Sequence, residues 1–313
     1  ELLHPEMLCS ILLLDEDGKT LRHGAAPSLP DAYNQAIDGV VIGAGIGSCG
    51  TAAFSGKTVI VPDISKHPYW HHYRALADLA QVKACWSQPV KNAQGKVLGT
   101  FAIYHRQPAE PSTEQMEKIK TYSNLAELAI SRSLSNAQIR RLAFYDSLTG
   151  LANRRLLEEH LRQAMATSSR SQKYCGLMFI DLDNFKPVND IYGHSTGDKL
   201  LAEVGRRLQN AVRSADTVAR FGGDEFIVLL REIDSDADCS KQHMQLVANK
   251  IVQELSRPYS LNDNNMHQCA CSIGLVLFRG DTNSDELLRQ ADTAMYQAKR
   301  QGQNHPCWYH SAK

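Results

Sequence analysis

Two runs rich in β-branched and aromatic residues, 217–221 and 226–230, flank the tetrapeptide Gly222-Gly223-Asp224-Glu225. Glycine takes the positive φ of a tight turn without steric cost, so the pattern predicts a β-hairpin with an acidic tip. A hairpin commits its arms to adjacent antiparallel strands, and the surrounding elements must be fitted to that pair. A second apolar run, 176–182, carries Phe179-Ile180-Asp181-Leu182-Asp183 at its end. Carboxylates at the ends of neighbouring strands suit a hard divalent cation, which takes oxygen ligands; this predicts a Mg²⁺ site for phosphate chemistry, with Mn²⁺ as an alternative.

A chain of 313 residues suits roughly two domains. Lys and Arg together number 34, as do Asp and Glu, so no bulk field directs the chain to nucleic acid or an anionic membrane. The eight Cys show neither a CxxC pair nor zinc spacing, which predicts a reducing, cytoplasmic compartment. Cys269 and Cys271, two apart in a predicted strand, are expected to face one side without bonding. No apolar run approaches the ~18 residues of a membrane helix, and no signal peptide is visible. The chain opens on Glu1 rather than Met, as expected of a piece of a longer protein.

Residues 1–107 read as mixed α/β. Strands are predicted over 8–14, closed by the turn Asp15-Glu16-Asp17-Gly18, and over 58–61 and 97–104. Between them lies a glycine-rich loop, residues 43–50. It contains GxGxxG as Gly45, Gly47 and Gly50, but no strong strand precedes it, so it does not read as a dinucleotide site. Cys49 and Cys85 read as small buried residues, with thiol sensing and bilin attachment as the alternatives. His67, His71 and His72 lie near Trp70 and Tyr73. Adjacent histidines lack the i,i+4 spacing of a helical metal pair, so a solvated or structural cluster is expected rather than a haem or metal site.

A Pro-rich break at 108–113 precedes a helix capped by Ser112 or Thr113 and expected to run to about Tyr145. Leu125, Leu128, Ile139 and Leu142 fall on one seam interrupted by Arg132 and Ser135. Two imperfect heptads fit a short coiled coil and a plain amphipathic connector equally well. From residue 146 onward helices and strands alternate. Helical spacing links Leu157 to Leu161, Leu200 to Leu201, Val204 and Leu208, Ala248 to Ile251 and Leu255, and Leu288 to Ala291, Met295 and Ala298. A further strand is predicted over 271–278. Hairpin and crossover connections together indicate an α+β fold.

Several separated motifs now match one family in order: DSLTGLANRR from Asp146, then DLDNFK through Asn189-Asp190 to Tyr192-Gly193-His194 and Gly197-Asp198, then RFGGDEF, then AMYQAKRQGQN. From Asp146 to about Trp308 the chain resembles the GGDEF family, the diguanylate cyclases. SILLLDEDG, GIGSCGTAAFSGKTVIVPDI, ACWSQPV and GKVLGTFAIYH resemble a GAF sensory domain. The resemblance implies three parts: a GAF domain over 1–107, with an antiparallel sheet, helices and an unidentified small-molecule ligand; a connecting helix over 108–145; and a cyclase domain over 146–313, with a mixed sheet flanked by helices.

The GGDEF resemblance also implies site residues. Asp181, the backbone carbonyl of Leu182, and Asp224 would hold Mg²⁺; Glu225 would support the site, and either it or Asp224 would act as general base. Asn189 and Asp198 would read guanine, since a carboxylate accepts from N1–H and the 2-amino group. Phe185 and His194 belong to the same substrate-binding block. Lys186 would offset charge growing on the transferred phosphoryl group, and Lys299 would reach another phosphate. Four residues beyond Lys299 the family commonly has Arg where this chain has Gln303.

The implied reaction condenses two GTP into cyclic di-GMP with loss of two pyrophosphates, in a homodimer that brings two half-sites together. Arg213-Ser214-Ala215-Asp216 stands at the spacing of an RxxD inhibitory site, which would bind the product. The competing expectations are a silent receptor for GTP or cyclic di-GMP, a cyclase accepting ATP, and one part of a bifunctional cyclase and phosphodiesterase.

Overall fold

The computed structural model describes residues 7–262, 265–280, 282–302 and 304–310. The chain divides into two compact units, Glu1–Ala137 and Gln138–Lys313. The N-terminal unit contains β1 (Met7–Leu14), β2 (Thr20–Ala25), α1 (Asp31–Ile37), β3 (Val40–Val41), α2 (Gly47–Ser55), β4 (Val59–Val61), a 3₁₀ turn (Pro68–Tyr73), α3 (Arg74–Leu79), β5 (Ala84–Lys91) and β6 (Val97–His105). The six strands form an antiparallel sheet in the order β3-β2-β1-β6-β5-β4. The sequence pattern missed β2, β3 and β5. The glycine-rich loop is shorter than its composition suggests, because Gly47 already opens α2. Trp70 is buried while His71 and His72 are exposed, and the His67 ring accepts from the Tyr69 backbone N–H at 3.3 Å.

Helix α4 (Thr113–Phe144) starts at a reciprocal capping box. Ser112 Oγ accepts from the Gln115 N–H at 3.2 Å, and Gln115 Oε1 accepts from the Ser112 N–H at 2.8 Å. Ile119 and Ala126 bury one face of α4 against Trp86, Phe101 and Ile103. Leu125, Leu128, Ile139 and Leu142 remain exposed. Among the described residues, no helix is long and apolar enough to cross a membrane.

The C-terminal unit continues with α5 (Arg154–Ser171), β7 (Cys175–Asp183), α6 (Phe185–Tyr192), α7 (His194–Ala211), β8 (Thr217–Gly222) and β9 (Glu225–Leu230). It ends with α8 (Ala237–Leu255), β10 (Tyr259–Asn262), β11 (Asn265–His267), β12 (Ala270–Phe278), α9 (Ser284–Gln301) and β13 (Pro306–Trp308). Its main sheet runs β13-β12-β7-β9-β8, antiparallel except for the parallel pair β12-β13. Leu200, Val204 and Leu208 of α7 and Met244 and Ile251 of α8 cover one face. Leu157 and Leu161 of α5 with Leu287 and Met295 of α9 cover the other. Every residue of β7 is therefore buried, and its C-terminal carboxylates stand at the end of the central strand.

Candidate active site

Gly222 pairs with Glu225, leaving Gly223 and Asp224 as a two-residue turn. Only Gly223 of the two glycines has positive φ, at 50°. Phe221 is skipped in the pairing between Arg220 and Gly222, a bulge that re-aims the tip. The tip is braced from the opening motif of the unit. Arg220 donates from Nε and Nη2 to the Gly223 carbonyl at 3.0 and 2.8 Å, and its Nη1 lies 3.2 Å from both Asp146 oxygens. Thr149 fixes Asp146 in turn, through backbone N–H and hydroxyl at 2.8 and 2.7 Å. Charge-assisted hydrogen bonds contribute about 1.5–3 kcal/mol each, enough to offset the ~1–2 kcal/mol of backbone entropy lost per turn residue.

The hairpin register brings the acids together. Asp181 of β7 lies opposite Glu225 of β9, and the Leu182 N–H donates to the Asp224 carbonyl at 3.3 Å. Lys299, in the last turn of α9, places its ammonium 2.6 Å from Asp181 Oδ1, which otherwise has no hydrogen-bond partner among the described residues. Asp183 is 4% exposed; its Oδ1 accepts from the Ser272 hydroxyl at 2.9 Å, while Oδ2 has no partner among the described residues. Burial pushes the Asp181 carboxyl above the usual range, the Lys299 contact opposes this, and the charges of Asp224 and Asp183 add to it. Glu225 is likewise raised, first by burial and then by Asp181, Asp292 and Asp224.

These residues fit Mg²⁺. The donors are all oxygen, like charge is crowded around a single ammonium, and one buried carboxylate oxygen is orphaned. Among the described residues, no three His, Cys, Asp or Glu side chains converge as a ready cage. The expected donors are two carboxylates and a carbonyl, and Mg²⁺ ordinarily completes such a set with water and substrate phosphates.

A second group forms where α6 meets α7. Asn184 takes φ of 59°, so the chain turns from β7 directly into α6, which opens on Phe185 and carries Lys186 and Asn189. Gly197 has no room for a Cβ, because the Asn189 amide oxygen and the Phe185 ring tip occupy that space. Asn189 and Phe185 are thereby packed next to Asp198. Lys186, His194 and Asp198 are exposed.

Residues 143–305 match the family model of the GGDEF domain, diguanylate cyclase. The chain belongs to the GGDEF diguanylate cyclase family. Residues 1–131 match the GAF domain model. The chain is 42% identical over 186 residues to the bifunctional diguanylate cyclase/cyclic di-GMP phosphodiesterase MucR of Pseudomonas aeruginosa, covering 59% of this chain but only 26% of MucR. It is 30% identical over 267 residues to diguanylate cyclase DgcP of Escherichia coli, covering 85% of this chain and 71% of DgcP. The coiled coil and GGDEF domain of DgcB from Caulobacter crescentus, solved with c-di-GMP, superposes with a TM-score of 0.55 at 26% identity, covering 62% of this chain and all of that one (100%).

Within this GGDEF domain, Arg213 and Asp216 differ in availability. The Arg213 side chain is 53% exposed, that of Asp216 only 2%. Asp216 Oδ2 accepts from the Arg213 backbone N–H at 3.1 Å and lies 3.4 Å from its Nε; Oδ1 accepts from the Arg231 N–H at 3.1 Å. Asp216 thus pins the β8 and β9 ends, while the Arg213 side chain stays largely exposed. Gln303 lies outside the described residues. Sequence reasoning gave Asp146, Arg220 and Gly197 no role in the site although all three stood within matched motifs; only contacts across the fold assign the first two the brace and the third its packing on Asn189.

Proposed function

We propose that this chain condenses two GTP into cyclic di-GMP, releasing two pyrophosphates. The observation carrying the reading is the convergence of Asp181, Asp224 and Glu225 with Lys299 where β7 ends against the start of β9. In this reading Asp181, the Leu182 carbonyl and Asp224 hold Mg²⁺, which when bound polarises the triphosphate and lowers the pKa of a coordinated hydroxyl. Asp198 accepts from guanine N1–H and the 2-amino group, and Asn189 donates and accepts at the same purine edge. Phe185 supports Asn189, and His194 stands at the opening of α7. Lys186 and Lys299 offset phosphate charge, and Glu225 or Asp224 takes the proton of the attacking 3′-hydroxyl.

Each domain holds one GTP, so turnover needs a second copy facing the first. The exposed apolar seam of α4 supports a homodimer, and the GAF unit supplies a place for a regulating small molecule. Product feedback through Arg213 and Asp216 belongs to the same proposal; the DgcB structure with c-di-GMP supports product binding within the family. Incubation with GTP and Mg²⁺, followed by mass analysis, tests the reading. A cyclic di-GMP peak is expected. GTP binding with no product at any protein concentration would overturn the enzyme and favour a receptor.

A further inference from the structure

The inner face of the N-terminal sheet carries small polar groups beneath α2. Across the register Ser10 faces Ala102, Ala102 faces Ser87, and Cys85 faces Tyr104, so Ser10, Cys85, Ser87, Thr100 and Tyr104 share that face. The Tyr104 hydroxyl lies 3.1 Å from Ser10 Oγ and 3.7 Å from Cys49 Sγ, and Ser48 donates to the Cys85 carbonyl at 3.5 Å. Cys49 of α2 and Cys85 of β5 thus both adjoin Tyr104, and the two thiols lie within hydrogen-bond reach of each other. The Ser87 and Thr100 hydroxyls are fully buried, have no other close partner among the described residues, and lie within reach of the Cys49 sulfur.

Cys49 sits in the first turn of α2, where the helix dipole favours an anion, and it is half-buried at a cavity shared with Ser48, Tyr33, Trp70 and Tyr104. The cavity volume is about 40 Å³. That is room for one or two water-sized molecules.

We propose that Cys49 and Cys85 are a redox-active dithiol, oxidised to a disulfide by a peroxide. The Cys49 thiolate attacks one peroxide oxygen and the O–O bond breaks. Sulfur becomes sulfenic acid, and the leaving hydroxide takes a proton to become water. Cys85 then attacks the sulfenic sulfur, the S–O bond breaks, and a second water leaves with the Cys85 proton. Two thiols and one peroxide give a disulfide and two waters, two electrons passing from sulfur to oxygen. The assignment of roles follows the environments. The Cys49 thiol is held below its ordinary value chiefly by the hydrogen bond with Cys85, then by Ser87, Tyr104 and Thr100, against burial. Burial pushes Cys85 up, so it waits as the resolving thiol.

The test treats the reduced 313-residue chain with hydrogen peroxide at pH 7, then maps thiols by alkylation and mass spectrometry. Exposed Cys239, whose thiol Asp236 pushes up, is the internal reference. Cys49 should react at least about tenfold faster than Cys239, the separation expected of one pKa unit in thiolate fraction. The product should be a Cys49–Cys85 link that dithiothreitol reverses. Cys85→Ser should instead leave a dimedone-reactive sulfenic acid on Cys49. Equal rates at Cys49 and Cys239, a link to any other cysteine, or no sulfenic acid on Cys49 in Cys85→Ser would each overturn the proposal. The wild-type rate comparison stands even if a variant fails to fold.

Discussion

The Lys299 ammonium stands 2.6 Å from Asp181 Oδ1, so the lysine expected to reach phosphate pairs with the carboxylate expected to hold the metal. Any cation taken up at Asp181 must compete with that pair, and its arrival frees Lys299 for anionic substrate. Lys299→Ala should therefore tighten Mg²⁺ binding in the absence of nucleotide while raising KM for GTP by about tenfold, the loss of ~1.4 kcal/mol of phosphate contact. Calorimetry with Mg²⁺ alone and GTP kinetics check the two halves. Weaker Mg²⁺ binding in the variant would show that the pair does not compete.

Asp181 and Glu225 are both raised above the usual carboxylate range, chiefly by burial. A raised carboxyl stabilises the fold while protonated, and the contribution is lost as pH climbs from about 4 through the folded-state value. The metal-free protein should lose stability across that window relative to Asp181→Asn, and Mg²⁺ should reverse the loss by binding the ionised forms. Thermal unfolding from pH 4 to 8, with and without Mg²⁺, measures the difference between wild type and variant. A difference independent of pH would contradict it.

Asp224 occupies the turn, and among the described residues its side chain has no hydrogen bond or ion pair tying the hairpin together. Asp224→Asn should lower turnover by about 100-fold or more, several kcal/mol of transition-state stabilisation, while circular dichroism and melting temperature stay near wild type. Turnover within twofold of wild type would end the metal assignment.

Base choice should reside in the α6–α7 group. Asp198→Ser removes the acceptor for guanine N1–H and should shift the GTP-to-ATP preference toward ATP by about tenfold or more, the ~1–3 kcal/mol of an unpaired polar group. Gly197→Ala should raise KM for GTP without touching an acid, because a methyl group there displaces the Asn189 amide. An unchanged preference in the first variant would remove Asp198 from base reading.

Arg213 and Asp216 should separate on stability. Asp216→Ala leaves the Arg231 N–H without its acceptor at a side chain only 2% exposed, and should cost about 1–3 kcal/mol. Arg213→Ala, largely exposed, should stay within about 0.5 kcal/mol. Inhibition of the cyclase by cyclic di-GMP should be relieved by Arg213→Ala without that loss. Identical inhibition curves for wild type and Arg213→Ala would exclude the site.

By itself the sequence determined what rests on local pattern. The run of Gly222 to Glu225 between apolar arms dictates a hairpin, residues 176–182 dictate a buried strand ending in acids, and Ser112 with Gln115 dictates where α4 begins. These follow from turn chemistry, side-chain periodicity and capping, which act between near neighbours. The short strands β2 and β3 escaped, because they are largely exposed and exist only as partners added to the edge of β1 and then of β2. Only the tertiary structure decided that Lys299 pairs with Asp181, that Asp146 and Arg220 lock the Gly223 carbonyl, and that Asn189 fills the space above Gly197. It alone turned the Asp216 carboxylate inward and set Cys49 over Tyr104 beside Cys85. Each of these joins residues far apart in the chain, and the distance and burial that set their chemistry exist only once the sheets and helices have packed.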